Sequence, residues 1–352
     1  MDTPPLLTLK QRPVVLHSAL VNPDFGEPTV VASDPWKYVA LFLRRKGAIQ
    51  ALFYWNQAQE FFTASRTLST SASPVTSYYS ALNAAKALLT YRGVFFTPLH
   101  GVSGPKDSLN DRKPPDLRDD RVVLQTDGVL PTLAEYLRPG AGRRRQSKSL
   151  YELLAAVPFI HRAFTLTFPA ENELFLPLAS VHFSHTPATG AVHIVCAVER
   201  KYNHLYAQLP PKWELNDQAA RGNVSLRFKE GFQWLPHDLP ESMKRLTTYH
   251  QRVRNRIVPI VEQVNRWYLA RRESVLDALA LPVVILAALH RFSELSRYYP
   301  LRLHNHLEAD QNWMIDEFLE QAPAQFIHLI ASEITGREFL RPNVVRLHAH
   351  RV

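Results

Sequence analysis

Residues 73–93 constrain the fold most, because apolar side chains cover most of a predicted helix there. The stretch reads SPVTSYYSALNAAKALLTYRG, in which Ser73 and Pro74 favour a helix start and Gly93 favours its end. Apolar residues recur at helical spacing on two neighbouring faces and leave only a narrow polar stripe. A helix that is apolar around most of its girth is buried among other elements. We therefore expect this helix at the centre of the fold.

Two predicted helices precede the central stretch. Asp34-Pro35 is typical of a helix start, and apolar residues follow it on one side. Residues 49–68 then predict a second helix with an aromatic face. Because a short connection joins this helix to residues 73–93, we expect the two to pack antiparallel as an αα-hairpin. We interpret the aromatic face as core and not as a platform for stacking ligands.

The central stretch also carries a family resemblance. Its sequence YYSALNAAKALLTYRG, followed by TPLHG, resembles the central helix of the YaaC-like proteins of bacteria. A second block, ILAALHRFSELSRYYP at residues 285–300, followed by WMIDEFL, is similar to the C-terminal helix of that family. The resemblance covers residues 34–335 in order. The first block also resembles the helical pair of HEPN domains, which implies a HEPN-like antiparallel helix pair. The YaaC-like family has no settled activity, so the YaaC-like resemblance by itself implies no reaction.

The middle of the chain predicts β-structure. Residues 181–183 and 191–198 flank the turn sequence TPATG, which is typical of a hairpin, and residues 224–228 predict another strand. Helices are predicted to return after it, at residues 242–270, 274–299, 311–321 and 323–334. The predicted fold class is α+β, mainly α: a helical body with a small inserted antiparallel β segment.

Composition shifts along the chain suggest five segments. We expect an extended N-terminal arm, a HEPN-like helical region with a basic loop, a mixed segment with the β-hairpin, a C-terminal helical region and a tail. Their predicted bounds are 1–33, 34–148, 149–240, 241–340 and 341–352.

Net charge and cysteine content suggest the kind of partner and the location. A formal charge of +9 favours an acidic partner such as RNA, DNA or an anionic ligand, although a basic surface without a specific role is the alternative. The single Cys196 excludes an internal disulfide, lies in an apolar strand pattern and is consistent with a reducing cytoplasm. The longest apolar run, Ala278–Leu289, has 12 residues and is too short to cross a bilayer. We therefore expect a cytoplasmic protein with no membrane partner.

Two groups of basic residues are candidates for phosphate contact. A loop at residues 138–148 gathers Arg143, Arg144, Arg145 and Lys148 around two glycines, and guanidinium groups pair bidentately with phosphate oxygens. A solvated loop without a role is the alternative. Arg252 and Arg256 lie four residues apart and would share one face of the predicted 242–270 helix.

The end of the central helix supplies a candidate catalytic pair. HEPN ribonucleases share an Arg followed by four to six residues and then a His, whereas seven residues separate Arg92 from His100 here. In such a pair the His acts as general base on a 2′-hydroxyl and the Arg stabilises the pentavalent phosphate. Lys86, earlier on the same helix, would add a phosphate-binding charge. The departure in spacing leaves open whether the chain is an enzyme.

Several other chemistries lack their motifs. The sequence contains no Walker A motif, no GxGxxG and no GxSxG, so we expect no nucleotide cofactor. His182, His185 and His193 lie near the hairpin without a Cys or a placed carboxylate, so we predict no metal site. Three hypotheses stay open: a HEPN-like protein that binds nucleic acid and cleaves RNA, a non-catalytic interaction module with a protein partner or a second copy, and binding of a free nucleotide.

Overall fold

A computed structural model describes residues 5–27, 29–32, 34–105, 116–216, 223–261 and 266–340. The predicted tail at 341–352 lies outside these ranges. The α-helices are α1 (Trp36–Arg45), α2 (Ile49–Ser65), α3 (Ser73–Tyr91), α4 (Val129–Leu137), α5 (Leu150–Ala155), α6 (His161–Thr167), α7 (Leu239–Arg254), α8 (Leu281–Tyr298), α9 (Pro300–Leu307) and α10 (Asn312–Thr335). The strands are β1 (Thr8–Leu9), β2 (Arg12–Pro13), β3 (Val30–Val31), β4 (Val102–Ser103), β5 (Arg121–Leu124), β6 (Gln146–Ser149), β7 (Phe175–Leu178), β8 (Ser180–Thr186), β9 (Ala191–Glu199), β10 (Trp213–Asn216), β11 (Asn223–Phe228), β12 (Phe232–Gln233), β13 (Ile257–Pro259), β14 (Trp267–Ala270) and β15 (Phe339–Leu340).

The fold is a mixed α+β fold, so the prediction of a mainly α body with a small β insert is wrong. Helices make up 47% of the structure and strands 19%. Five sheets of two or more strands form among the described residues. The predicted 242–270 helix shows the physical reason, because α7 ends at Arg254 and β13 and β14 follow. Pro259 lacks the N–H that a helix interior needs, and its β-branched neighbours Ile257 and Val258 favour a strand.

The chain divides into two compact units. The β unit comprises Met1–Ser33, Glu173–Glu273 and Gly336–Val352. The helical unit comprises Asp34–Asn172 and Ser274–Thr335. None of the helices in the described ranges has the length and apolar character needed to span a membrane.

The β unit is built around a five-stranded antiparallel sheet. Its order is β10-β11-β9-β12, with β8 also paired to β9, which confirms the predicted hairpin. Helix α7 is tied to this sheet by Tyr249, whose Oη accepts the Ile194 N–H at 2.9 Å. The segment predicted as an N-terminal arm contributes Leu7 and Val14 to the sheet's core.

A parallel strand pair also belongs to the β unit. In this pair β3 lies beside β15, with Val30 opposite Phe339. The Val30 N–H donates to the Glu338 carbonyl at 2.7 Å, and the Ala32 N–H donates to the Leu340 carbonyl at 2.9 Å. The pairing therefore joins segments that are more than three hundred residues apart in the chain.

Helix α3 lies at the centre of the helical unit, as its sequence predicts. Helices α2, α8 and α10 all pack against it. The helix begins at Ser73 itself, so this residue is not the cap, and it is followed by Gly93 with φ of +66°, the left-handed conformation expected there. Helix α10 continues through Pro323, so the predicted break between 311–321 and 323–334 is wrong. Its C-terminal half is almost wholly buried, and this packing outweighs the cost of the proline.

Candidate functional site

The loop that follows α3 brings His100 back onto the helical unit. The Leu130 N–H, at the start of α4, donates to the His100 carbonyl at 3.1 Å, and the Gln125 N–H donates to the Gly101 carbonyl at 2.9 Å. Gly101 has φ of +76°, and a Cβ at this position would collide with the ring of Pro131. Only glycine satisfies both requirements without strain. The backbone on either side of His100 is therefore fixed.

Four rings meet where His100 folds back. Its imidazole centroid lies 5.4 Å from Tyr78, 6.1 Å from Tyr79 and 6.1 Å from His290, and the Tyr78 and His290 centroids are 5.0 Å apart. Tyr78 and Tyr79 come from α3, and His290 comes from α8. Tyr78 and His290 are buried, whereas Tyr79 and His100 are half-buried. The rings thus extend from the interior to the surface.

Burial, together with nearby charges, lowers the pKa values of the two imidazoles. Burial lowers the pKa of His100, and the charges of Lys86 and Arg297 lower it further, against the opposing effect of Glu294. Burial lowers the pKa of His290 to about 3. Both imidazoles are therefore neutral at pH 7. We call the group the His100 cluster: Tyr78, Tyr79, Lys86, His100, His290, Glu294 and Arg297.

Two buried polar atoms of the cluster lack hydrogen bonds. Tyr78 Oη and His290 Nδ1 have no hydrogen-bond partner within the described part of the chain, and Glu294 Oε2 lies 3.8 Å from His290 Nδ1. Burial raises the pKa of Tyr78, so its hydroxyl stays protonated and can donate. An orphaned buried polar group costs free energy unless water or a ligand satisfies it. These two atoms therefore suit a site that a polar molecule enters.

Lys86 is a charge without a described counter-ion. Its Nζ lies 5.7 Å from the centroid of the Tyr54 ring, and no carboxylate of the described ranges lies within ion-pair distance of it. Burial lowers its pKa, because desolvation penalises the ammonium form. An anion beside Lys86 would offset that penalty.

A buried ion network holds α8 in place beside the cluster. Asp120 accepts hydrogen bonds from Arg291 at 2.9 Å, from Arg302 at 3.1 Å and from His306 at 2.6 Å, and all four side chains are buried. Burial by itself would raise the Asp120 pKa, but the bonds from His306 and Arg302 and the nearby charges bring it to about 2. Sequence reasoning missed this network, because its members lie up to 186 positions apart in the chain.

The same network neutralises the one carboxylate of the His100 cluster. Arg291 donates from Nη1 to Glu294 Oε2 at 3.1 Å, and the Gly104 N–H donates to Glu294 Oε1 at 3.0 Å. Both oxygens of Glu294 are therefore engaged. The charges left to attract a ligand are those of Lys86 and Arg297.

Comparison with known proteins assigns the family. A family model described as YaaC-like Protein matches residues 39–334. The chain belongs to the YaaC-like family. Searches of curated proteins and of solved structures found no match. The HEPN-like character of the α2/α3 pair is not confirmed by these comparisons and stays a prediction.

In this YaaC-like protein the predicted catalytic pair is divided between two places. Arg92 donates from Nη2 to the Glu333 carbonyl at 2.5 Å and to the Ile334 carbonyl at 3.3 Å, at the end of α10. His100 instead lies with Lys86 and Arg297. Arg297, near the end of α8, is the arginine whose charge acts on both His100 and His290.

The basic loop is exposed and partly anchored. Arg143 donates to Glu135 at 2.9 Å, and the backbone N–H groups of Gly140 and Gly142 donate to the same carboxylate. Arg144 and Arg145 are exposed. On β6, Lys148 lies 3.6 Å from Glu152.

The other predicted phosphate contacts belong to the β unit. Arg252 donates to Glu230 at 2.8 Å, and Arg256 donates to the Arg272 carbonyl at 2.6 Å. Because α7 ends at Arg254, the two arginines do not share a helix face, and that prediction is wrong. No group of three or more His, Cys, Asp or Glu residues in the described ranges is arranged to hold a metal ion.

Proposed function

We propose that this YaaC-like protein binds a phosphate-bearing ligand, RNA, DNA or a nucleotide, at the His100 cluster. The supporting observation is that the charges of Lys86 and Arg297 both act on the half-buried His100, and that Lys86 has no described counter-ion. Phosphates beside Lys86 and beside Arg297 would each pair with a cation, and one of them would accept a hydrogen bond from the imidazole. The net charge of +9 would assist the approach of such a ligand.

The proposal extends to the basic loop. Arg144 and Arg145 are exposed, and Arg143 has 77% of its side chain exposed although it contacts Glu135. Exposed guanidinium groups of this kind are suited to backbone phosphates beyond the cluster. They would lengthen the footprint of a polymeric ligand without adding sequence preference.

RNA cleavage is the finer hypothesis within this proposal. Because its pKa is lowered, His100 is neutral at pH 7 and can accept the proton of a 2′-hydroxyl. The 2′-oxygen would attack the adjacent phosphorus, and Arg297 would stabilise the phosphorane in place of Arg92, which is hydrogen-bonded to α10. The bond from phosphorus to the 5′-oxygen would then break, and the imidazolium would return its proton to that oxygen. Incubation of a labelled RNA with the wild type and with His100→Ala tests this step separately from binding.

The test of binding compares a double variant with a matched control. Fluorescence anisotropy of a labelled single-stranded RNA is measured over a salt series for the wild type, for Lys86→Gln with Arg297→Gln, and for Lys37→Gln, which removes an exposed lysine of α1. We expect the double variant to bind more weakly and to lose about 1.4 from the slope of log K against log salt, the amount for two phosphate contacts on a single strand. Equal slopes for all three proteins would contradict the proposal.

The second candidate function is a non-catalytic interaction module. Ile49 and Phe53, four residues apart on α2, have 65% and 61% of their surface exposed. Such a pair suits contact with another protein or a second copy. Analytical ultracentrifugation of the wild type and of Ile49→Ser with Phe53→Ser tests self-association: a dimer that is lost in the variant supports it, and monomers throughout contradict it.

A further inference from the structure

Helices α2 and α3 carry two matched pairs of side chains across their shared surface. The Phe61 and Tyr79 rings stack with centroids 5.5 Å apart and planes at 29°. Lys86 Nζ lies 5.7 Å from the Tyr54 ring. Both pairs follow one antiparallel register, because Tyr54 and Phe61 are seven residues apart on α2 and Tyr79 and Lys86 are seven apart on α3. We call these four residues the α2/α3 seam.

The seam is a surface feature and not part of the core. All four of its residues are half-buried, whereas Trp55, Ala58 and Leu82 beside them are fully buried. Sequence reasoning had assigned the aromatic face of α2 to the core. The helix instead divides its aromatic residues, with Trp55 in the interior and Tyr54 and Phe61 at the edge of the seam. Part of each seam ring is therefore accessible to a ligand.

The spacing of the pairs sets a length scale. Seven residues of α-helix rise about 10.5 Å. Bases stacked along one strand are about 3.4 Å apart, so the two pairs span about three nucleotide steps. One nucleotide can contact one pair only, whereas a strand of about four nucleotides can contact both.

The chemistry of the seam matches that of an unpaired strand. Three aromatic rings and one cation line it, and its Tyr79 end contacts His100, whose ring centroid is 6.1 Å away. Aromatic stacking requires base faces that a duplex hides between its own pairs. Backbone phosphates at Lys86 and at Arg297 would meet positive charge at both ends of the seam.

We infer that the α2/α3 seam binds single-stranded nucleic acid, with bases against its rings and backbone phosphates at Lys86 and the His100 cluster. This inference rests on the proposed function and names its ligand class. It commits to a strand of about four nucleotides or more, in preference to a free nucleotide or a duplex.

The experiment measures binding of oligonucleotides of increasing length to the wild type and to variants of a single ring of the seam. Affinities are measured for uridine mononucleotide, for single-stranded oligouridines of two, four and eight nucleotides, for the matching single-stranded DNA and for a duplex. The proteins are the wild type, Tyr54→Leu, which removes the ring far from His100, and Tyr54→Phe, which keeps it. Circular dichroism melting checks that the variants fold.

We expect affinity to rise up to about four nucleotides, and we expect weaker binding of the duplex. Tyr54→Leu should weaken tetranucleotide binding about fivefold to a hundredfold, the range for one stacking contact, and should weaken mononucleotide binding less, and Tyr54→Phe should behave as the wild type. DNA and RNA strands that bind alike support a seam that tolerates either sugar.

The outcomes separate this inference from the proposal beneath it. If the mononucleotide binds as tightly as the tetranucleotide and Tyr54→Leu changes nothing, the seam does not bind a strand, although phosphate binding at the His100 cluster stands. A duplex that binds as well as the single strand overturns the seam in the same way. If no ligand binds the wild type, both proposals fail.

Discussion

Replacing Asp120 by Asn should unfold the helical unit at markedly lower denaturant concentration. Asp120 is fully buried and is the shared acceptor for Arg291, Arg302 and His306. Asn has nearly the same shape as Asp but no charge, and its amide N–H₂ would face N–H groups that now donate to the carboxylate. The two arginines, only 1% and 4% exposed at their side chains, would lose this counter-charge.

Two estimates bound the size of the effect. The fall of the Asp120 pKa from 3.8 to about 2 corresponds to about 2.5 kcal/mol of stability at neutral pH. Breaking a buried ion pair by removing one partner costs about 3–5 kcal/mol, since the remaining charge is left unpaired. We expect about 3–5 kcal/mol, or a melting temperature roughly 6 to 20 °C lower.

Urea unfolding followed by circular dichroism measures the change, with Asp119→Asn as the matched control because Asp119 is the exposed neighbour. The pH dependence adds a second signature. A depressed carboxyl pKa stabilises the fold above pH 3.8, and this stability is lost as pH falls toward 2, so the wild type should lose it there and Asp120→Asn should not. A free energy of unfolding within about 1 kcal/mol of the control would refute the reasoning.

Four further predictions concern other residues described above. Gly101→Ala should lower the melting temperature more than Gly93→Ala, because both need positive φ but only a Cβ at 101 collides with neighbours. Between pH 7 and 5 the buried imidazole of His290, with its pKa of about 3, stays neutral, whereas the imidazole of the unfolded chain binds a proton, so the wild type loses about 2 kcal/mol of stability at this residue. His290→Gln should remove that loss, and urea titrations at pH 7 and pH 5 measure it. Replacing Arg143–Arg145 by three alanines should leave the melting temperature unchanged, weaken RNA binding and flatten its salt dependence. Arg92→Gln should lower the melting temperature, because it removes the hydrogen bonds to α10, and should leave the affinity for RNA unchanged.

Local patterns predicted the elements that local physics decides. The spacing of apolar residues placed α3 correctly, and turn residues around TPATG placed the β8–β9 hairpin. The prediction of a helix at residues 242–270 was wrong because charged residues at helical spacing were given more weight than Pro259. Helix propensity was a weaker determinant there than the strand pairing of β13 and β14, which depends on partners elsewhere in the chain.

The site was harder to predict than the fold. Proximity in the chain suggested Arg92 as the partner of His100, but the arginine beside it is Arg297, which only the packing of α8 against α3 supplies. Asp120 gave no signal, because one aspartate in a polar stretch reads as a loop residue. The seam depends on the register of α2 against α3, a quantity that apolar periodicity leaves undetermined.

The pairing of β3 with β15 has a consequence for how the protein folds. Val30 and Phe339 must meet although the whole helical unit lies between them in the chain, and closing so long a loop slows folding. On the ribosome, residues 34–172 are synthesised long before β15 emerges. When only residues 34–172 have been made, the helical unit still lacks α8 and α10, and the β unit still lacks β13, β14 and β15. Neither unit can therefore complete its core until the last hundred residues have been made. We expect synthesis stalled near residue 270 to leave both cores open and prone to aggregation.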